Sequence, residues 1–253
     1  MMDETFGGRS GLPLACLIEQ ARPEYSGATA PDSHRLPRAE TVCILEPPPG
    51  MSMRLRHSER IFVKTTRIIL LCLPASAALR RGCFPADDPL DPLSEAEAAS
   101  IARQLERPAR ILCSPAAGAR QFAQALSLPA LAEPALAEAD HGRWAGLPLK
   151  TIEADEPDAL AAWLADPAAA PHGGESQLDL LARVGRWLEL TAQKEGDTLA
   201  LTHASVVRAA VVYALQAPPT AMQRLDIAPK TVTRFTVFGG RLRLAGCACP
   251  LPD

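Results

Sequence analysis

What the chain lacks narrows its chemistry first. Aromatic residues are scarce, 4% of 253 residues, so aliphatic side chains must fill most of the core. Positive charge is neither abundant nor clustered: the net charge is −3. A nucleic-acid footprint needs lysine and arginine gathered on one face, and nothing of that kind is present. The locally basic string from Met53 to Arg60 reads as a solvated linker. No apolar run approaches the roughly 18 residues of a membrane-spanning helix. Neither a nucleic acid nor a membrane is therefore expected as a partner.

Metal and redox signatures are missing as well. The seven cysteines, Cys16, Cys43, Cys72, Cys83, Cys113, Cys247 and Cys249, include no C-x-x-C pair. Their odd number and irregular spacing give neither a zinc ribbon nor a disulfide framework. Cys72 and Cys113 sit in apolar runs, where a thiol behaves as a small hydrophobe. A reducing cytoplasm is the expected compartment. His141, His172 and His203 carry no known ligand spacing, so no metal and no cofactor is expected. Phosphate-binding G-x-x-x-x-G-K-[ST] and dinucleotide-binding G-x-G-x-x-G loops are absent, as is a G-x-S-x-G nucleophile elbow. A cysteine-based phosphatase would bracket five residues between Cys and Arg, whereas Cys113 to Arg120 brackets six and Cys72 to Arg80 seven. The Arg67–Ala77 stretch has the flanks of an export signal. Its unbroken apolar part, Ile68 to Leu73, is shorter than the usual run of about 7–15 residues, and a buried strand is expected instead.

Two regions remain. Residues 1–64 are rich in Pro, Gly, Ser and Arg, hold the breaker cluster Glu46–Gly50, and show no sustained period. They are expected to be a disordered or mis-started extension. Residues 65–253 are expected to form the domain. Short apolar runs at 67–73, 110–113 and 198–202 read as buried strands, and 231–238 with 241–245 as a hairpin about Gly239-Gly240. Helical patterns fall at 94–105, 115–126, 156–164, 175–193 and 204–215, with Ser94 and Glu97 spaced as a capping box. This alternation argues an α/β layered fold. Sites in such folds lie at the carboxyl ends of the strands, here after Leu73, Cys113 and Thr202, where a helix N-terminus offers free N–H groups to an anion.

Two residues stand out there. His203 ends a strand and opens a helix, which suits phosphate contact or proton transfer, although a capping or core histidine fits equally. Glu138, near an aromatic and a glycine turn, would serve as a general acid if its pKa were raised, and otherwise as an ordinary loop glutamate. His172-Gly-Gly-Glu-Ser176 is a glycine turn leading into a helix.

Six stretches, in order, resemble the histidine phosphatase (phosphoglycerate mutase-like) superfamily. Ile68–Ser76 stands where that family has a strand ending in R-H-G-x-T. Asp87–Ser94 is similar to D-x-P-L-T, and Cys113–Ala123 to S-S-P-L-x-R-A-x-Q-T-A. Leu136–Gly146 is similar to L-x-E-x-D-F-G-x-W-E-G, Gly173–Ser176 to G-G-E-S, and Leu201–Arg208 to T-H-G-G-V-I-R. The resemblance implies a three-layer α/β/α sandwich with a mostly parallel central sheet. It also implies a mechanism in which the R-H-G histidine attacks phosphorus, arginines and a second histidine hold the phosphoryl oxygens, and a glutamate protonates the leaving group.

Carried over by position, the nucleophile falls on Leu73, its arginine on Cys72, its glycine on Pro74 and its threonine on Ser76. The second arginine falls on Gly118. Only the acid, Glu138, and the second histidine, His203, are kept. Arg120 lies about 200° around the helix from Gly118 and should point away. Arg80 or Arg81 is expected to reach the pocket as a substitute. Leucine has no lone pair to attack phosphorus, and the bidentate phosphate clamps are gone. The expectation is a catalytically impaired family member that binds a small phosphorylated molecule or acts in regulation. The alternative is an active phosphomonoesterase with a remodelled pocket around His203 and Glu138. The sequence carries no signal of the substrate or of the oligomeric state.

Overall fold

The computed structural model describes residues 65–105 and 108–251, so the expected 1–64 extension lies outside the described residues. A six-stranded sheet is the frame. Its strands are β1 (Thr66–Cys72), β2 (Arg110–Cys113), β3 (Leu131–Ala132), β4 (Thr198–Thr202), β5 (Thr231–Phe238) and β6 (Arg241–Pro250), in the order β3-β2-β4-β1-β5-β6. The first four in that order run parallel, and β5 and β6 are antiparallel. Every residue of β4 is buried, as a central parallel strand covered on both faces should be.

Side-chain alternation along β1 builds the two flanking layers. Ile68, Leu70 and Cys72 join one core with α6 (Gln177–Ala192) and α7 (Ala204–Ala214). Ile69, Leu71 and Leu73 join the opposite core with α2 (Glu95–Gln104) and α3 (Ala117–Ala125). The result is the α/β/α sandwich, with a mixed rather than wholly parallel sheet. Complete burial of a side chain such as Leu70 or Leu201 contributes about 1.5–3 kcal/mol. Close helix packing adds to it: a Cβ at Gly185 of α6 would come within 2.2 Å of the Tyr213 ring in α7.

Local signals set the boundaries. Ser94 accepts from the Glu97 amide, and Ser176 forms a reciprocal capping box with Asp179. The α3 helix starts at Ala117, later than Pro115, because the Asp87 carboxylate accepts from the Ala117 amide at 2.6 Å and fixes the first turn there. Gly239 and Gly240 both have positive φ, the geometry of a two-residue type I′ hairpin. Some elements escape sequence patterning. The helices α1 (Ala77–Arg80) and α4 (Leu149–Asp155) and the edge strand β3 are too short to show a period, and β6 runs on to Pro250 because β5 pairs with it.

Candidate functional site

A cavity of about 570 Å³ opens at the carboxyl ends of β1 and β4. Its wall includes Cys72, Leu73, Pro74, Ser76, Gly118, Glu138 and His203. The backbone brings β1 and β4 to a common end: the Leu73 amide donates to the Thr202 carbonyl at 2.8 Å. Thr202 in turn donates its hydroxyl to the Leu136 carbonyl at 2.8 Å, which ties the Glu138 loop to β4. That loop is backed by the glycine turn: a Cβ at Gly142, whose φ is +49°, would meet the His172 carbonyl at 2.2 Å, so only glycine fits.

His203 is held on both sides. Its Nδ1 lies 3.3 Å from the Glu138 carboxylate, and its Nε2 lies 2.8 Å from the Ser114 hydroxyl oxygen. The ring is 14% exposed and the Glu138 side chain 16%. Glu138 also accepts from the Ala139 amide at 2.9 Å and from the Ser205 hydroxyl. Burial alone would push its carboxyl pKa up. The hydrogen bond and charge of His203, the Ser205 hydroxyl and the Ala139 amide outweigh burial and hold it down at about 2. The shift runs opposite to the raised pKa expected of a general acid, so the carboxyl rests in its charged form.

Ser114, His203 and Glu138 stand in the order of a serine–histidine–carboxylate relay. However, Ser114 is fully buried, and its oxygen also accepts from the Ala116 amide at 3.2 Å. It is not among the residues of the cavity wall, and its bond to Nε2 helps to fix the orientation of the imidazole.

The remaining candidates divide clearly. Leu73 is 6% exposed and packs into the α2/α3 core. Cys72 turns to the other face, where burial and the neighbouring Glu138 charge push its thiol up to about 12 against the opposing pull of Arg208. It is a neutral thiol, not a nucleophile. The Ser76 hydroxyl, in the cavity wall, caps α1 by accepting from the Leu79 amide at 3.2 Å and keeps its own O–H to donate. Gly118 is in the wall, but a Cβ there would lie 3.0 Å from Leu90 and 3.1 Å from the Asp88 carbonyl. Arg80 and Arg81 do not line the cavity. Arg80 pairs with Asp91 and donates to the Ala75 carbonyl, because the short α1 helix turns it to solvent, and Arg81 is exposed. Arg120 is exposed on α3 and donates to the Pro115 carbonyl.

The cavity wall also holds charged residues beyond the sequence candidates. Arg208, on the turn of α7 after His203, is the only arginine or lysine in the cavity wall among the described residues. Its spacing from His203 along the helix was the available signal. Glu175 also lines the cavity and is paired with Arg183 through both carboxylate oxygens, at 2.8 and 2.7 Å.

Residues 76–249, more than two thirds of the chain, match the family described as the histidine phosphatase superfamily (branch 1). The chain belongs to this superfamily. The matched segment contains Glu138 and His203 and begins beyond Leu73. A bifunctional protein of Mycobacterium tuberculosis is 32% identical over 121 residues, which cover 46% of this chain and 33% of that protein. The match thus spans about a third of the relative's length. A solved mycobacterial glucosyl-3-phosphoglycerate phosphatase superposes with a TM-score of 0.61 at 24% identity, covering 72% of this chain and 98% of that one. The alpha-ribazole phosphatase of Shigella flexneri gives 0.63 at 19% identity, covering 74% and 99%. At these identities the superpositions establish the fold. No helix among the described residues is long and apolar enough to cross a membrane.

Proposed function

We propose that this superfamily member does not hydrolyse phosphomonoesters through a phosphohistidine, and that its cavity serves small-molecule binding or regulation. The observation that carries the reading is the state of His203, whose two ring nitrogens are engaged by Glu138 and Ser114. With Nδ1 beside a carboxylate and Nε2 beside a hydroxyl, neither ring nitrogen is left unpartnered to face phosphorus. Leu73 supplies no lone pair at the end of β1, and the Glu138 carboxyl rests in its charged form. By the family's motif, Cys72 and Gly118 take the places of the phosphate-clamping arginines. A small phosphorylated molecule is the ligand that ancestry suggests.

The alternative, an active phosphomonoesterase, draws on the fact that His203 and Glu138 line the same cavity. It requires His203 to release one of its partners. Restoring the nucleophile distinguishes the two. Leu73→His with Cys72→Arg is the informative variant, with Gly118 left in place because a side chain there presses on the Asp88 carbonyl. The expected result is p-nitrophenyl phosphate turnover at least tenfold above that of the unmodified chain. An unmodified chain that turns over as fast as the repaired one contradicts the proposal.

A further inference from the structure

The cavity wall is mostly apolar, and Phe84, Leu90, Trp163, Leu180, Met222 and Ile227 all contribute to it. Its volume, about 570 Å³, is in the range of small-molecule sites, roughly 300–1,000 Å³. Its charges are unbalanced. Three carboxylates, Asp88, Glu138 and Glu175, line it against the single guanidinium of Arg208. Glu138 and Glu175 are held by His203 and Arg183 respectively. The buried Oδ2 of Asp88 has no hydrogen-bond partner among the described residues. A phosphomonoester dianion would meet this acidic lining with one clamp where its chemistry calls for several.

Arg208 is placed to receive one charge. Its Nε donates to the Leu225 carbonyl at 2.9 Å, which orients the fork. Its two terminal nitrogens make no hydrogen bond or ion pair among the described residues. A planar guanidinium with both ends open matches a carboxylate through two parallel hydrogen bonds. Resting on the reading that this site binds and does not hydrolyse, we infer that the cavity takes an apolar molecule carrying a single carboxylate, with its head on Arg208 and its body along the aliphatic and aromatic wall. The apolar body supplies most of the affinity by burial, and Arg208 fixes the orientation.

Calorimetric titration of the full chain tests this with decanoate, decan-1-ol and decyl phosphate at pH 8, where the phosphate is a dianion. Decanoate is expected to bind at least tenfold more tightly than decanol and more tightly than decyl phosphate. Arg208→Gln should erase the advantage of decanoate while leaving decanol binding unchanged. Should that variant fail to fold, the ratio of decanoate to decanol in the unmodified chain decides alone. Equal binding of the two, binding of neither, or preference for decyl phosphate overturns the inference. Release of inorganic phosphate from decyl phosphate would instead overturn the proposed loss of hydrolysis.

Discussion

Glu138 shows how a motif residue takes on a different state from the one its neighbours in sequence suggest. Read along the chain, a carboxyl group near Trp144 invites a raised pKa. In the fold, its near neighbours are the His203 ring, the Ser205 hydroxyl and the Ala139 amide, and these favour the charged form. The depressed pKa has a stability consequence. The stabilisation is complete above the ordinary carboxylate value of 4.5 and is lost as pH falls through about 2. Its full size is on the order of 3 kcal/mol, from roughly 1.4 kcal/mol per pH unit. Glu138→Gln is therefore expected to have a flatter stability profile than the unmodified chain between pH 4.5 and 2, measured by urea unfolding. Parallel profiles over that window would show that the carboxyl is not held in its charged form. This grouping was only partly legible in the sequence. Glu138, His203 and Ser114 all stand in the matched stretches, but no spacing rule pairs Ser114 with a histidine 89 positions away, and only the fold brings them together.

At the scale of elements, the apolar runs of β1 and β4 were legible because a buried parallel strand is a short unbroken hydrophobic stretch. The hairpin of β5 and β6 was legible from its glycine pair. The short α1 and α4 helices were not, since a one- or two-turn helix is set by its tertiary setting and not by a period. The α6–α7 contact was equally hidden: Gly185 lies mid-helix, where glycine costs about 1 kcal/mol relative to alanine. Its value is the room it leaves for the Tyr213 ring. Gly185→Ala gains that propensity but forces the ring aside, and a net loss of about 1–2 kcal/mol is expected by chemical denaturation. A stabilised variant would mean that Tyr213 moves freely and that the helix contact is loose. Since α7 carries both His203 at its start and Arg208 on its next turn, this contact also fixes the cavity wall.

For the whole molecule, family membership and the proposed loss of activity rest on different observations. The layered sheet, the strand-end cavity and the match over residues 76–249 place the chain among histidine phosphatases. The cavity itself holds Glu138 and His203, has Arg208 as its single guanidinium among the described residues, and is largely apolar. Its wall draws on segments from Cys72 to Pro229, which is why its character was less legible than the fold. The expectation that Arg80 or Arg81 would restore a phosphate clamp rested on sequence proximity, and the turn of α1 directs Arg80 to Asp91 instead. Whether this cavity turns over phosphate esters decides between the two readings. The direct measurement is the rate of p-nitrophenyl phosphate hydrolysis by the unmodified chain beside His203→Ala at matched concentration. No difference between the two is expected, both at the uncatalysed background. Robust hydrolysis by the unmodified chain that disappears in His203→Ala would contradict the proposed loss of activity.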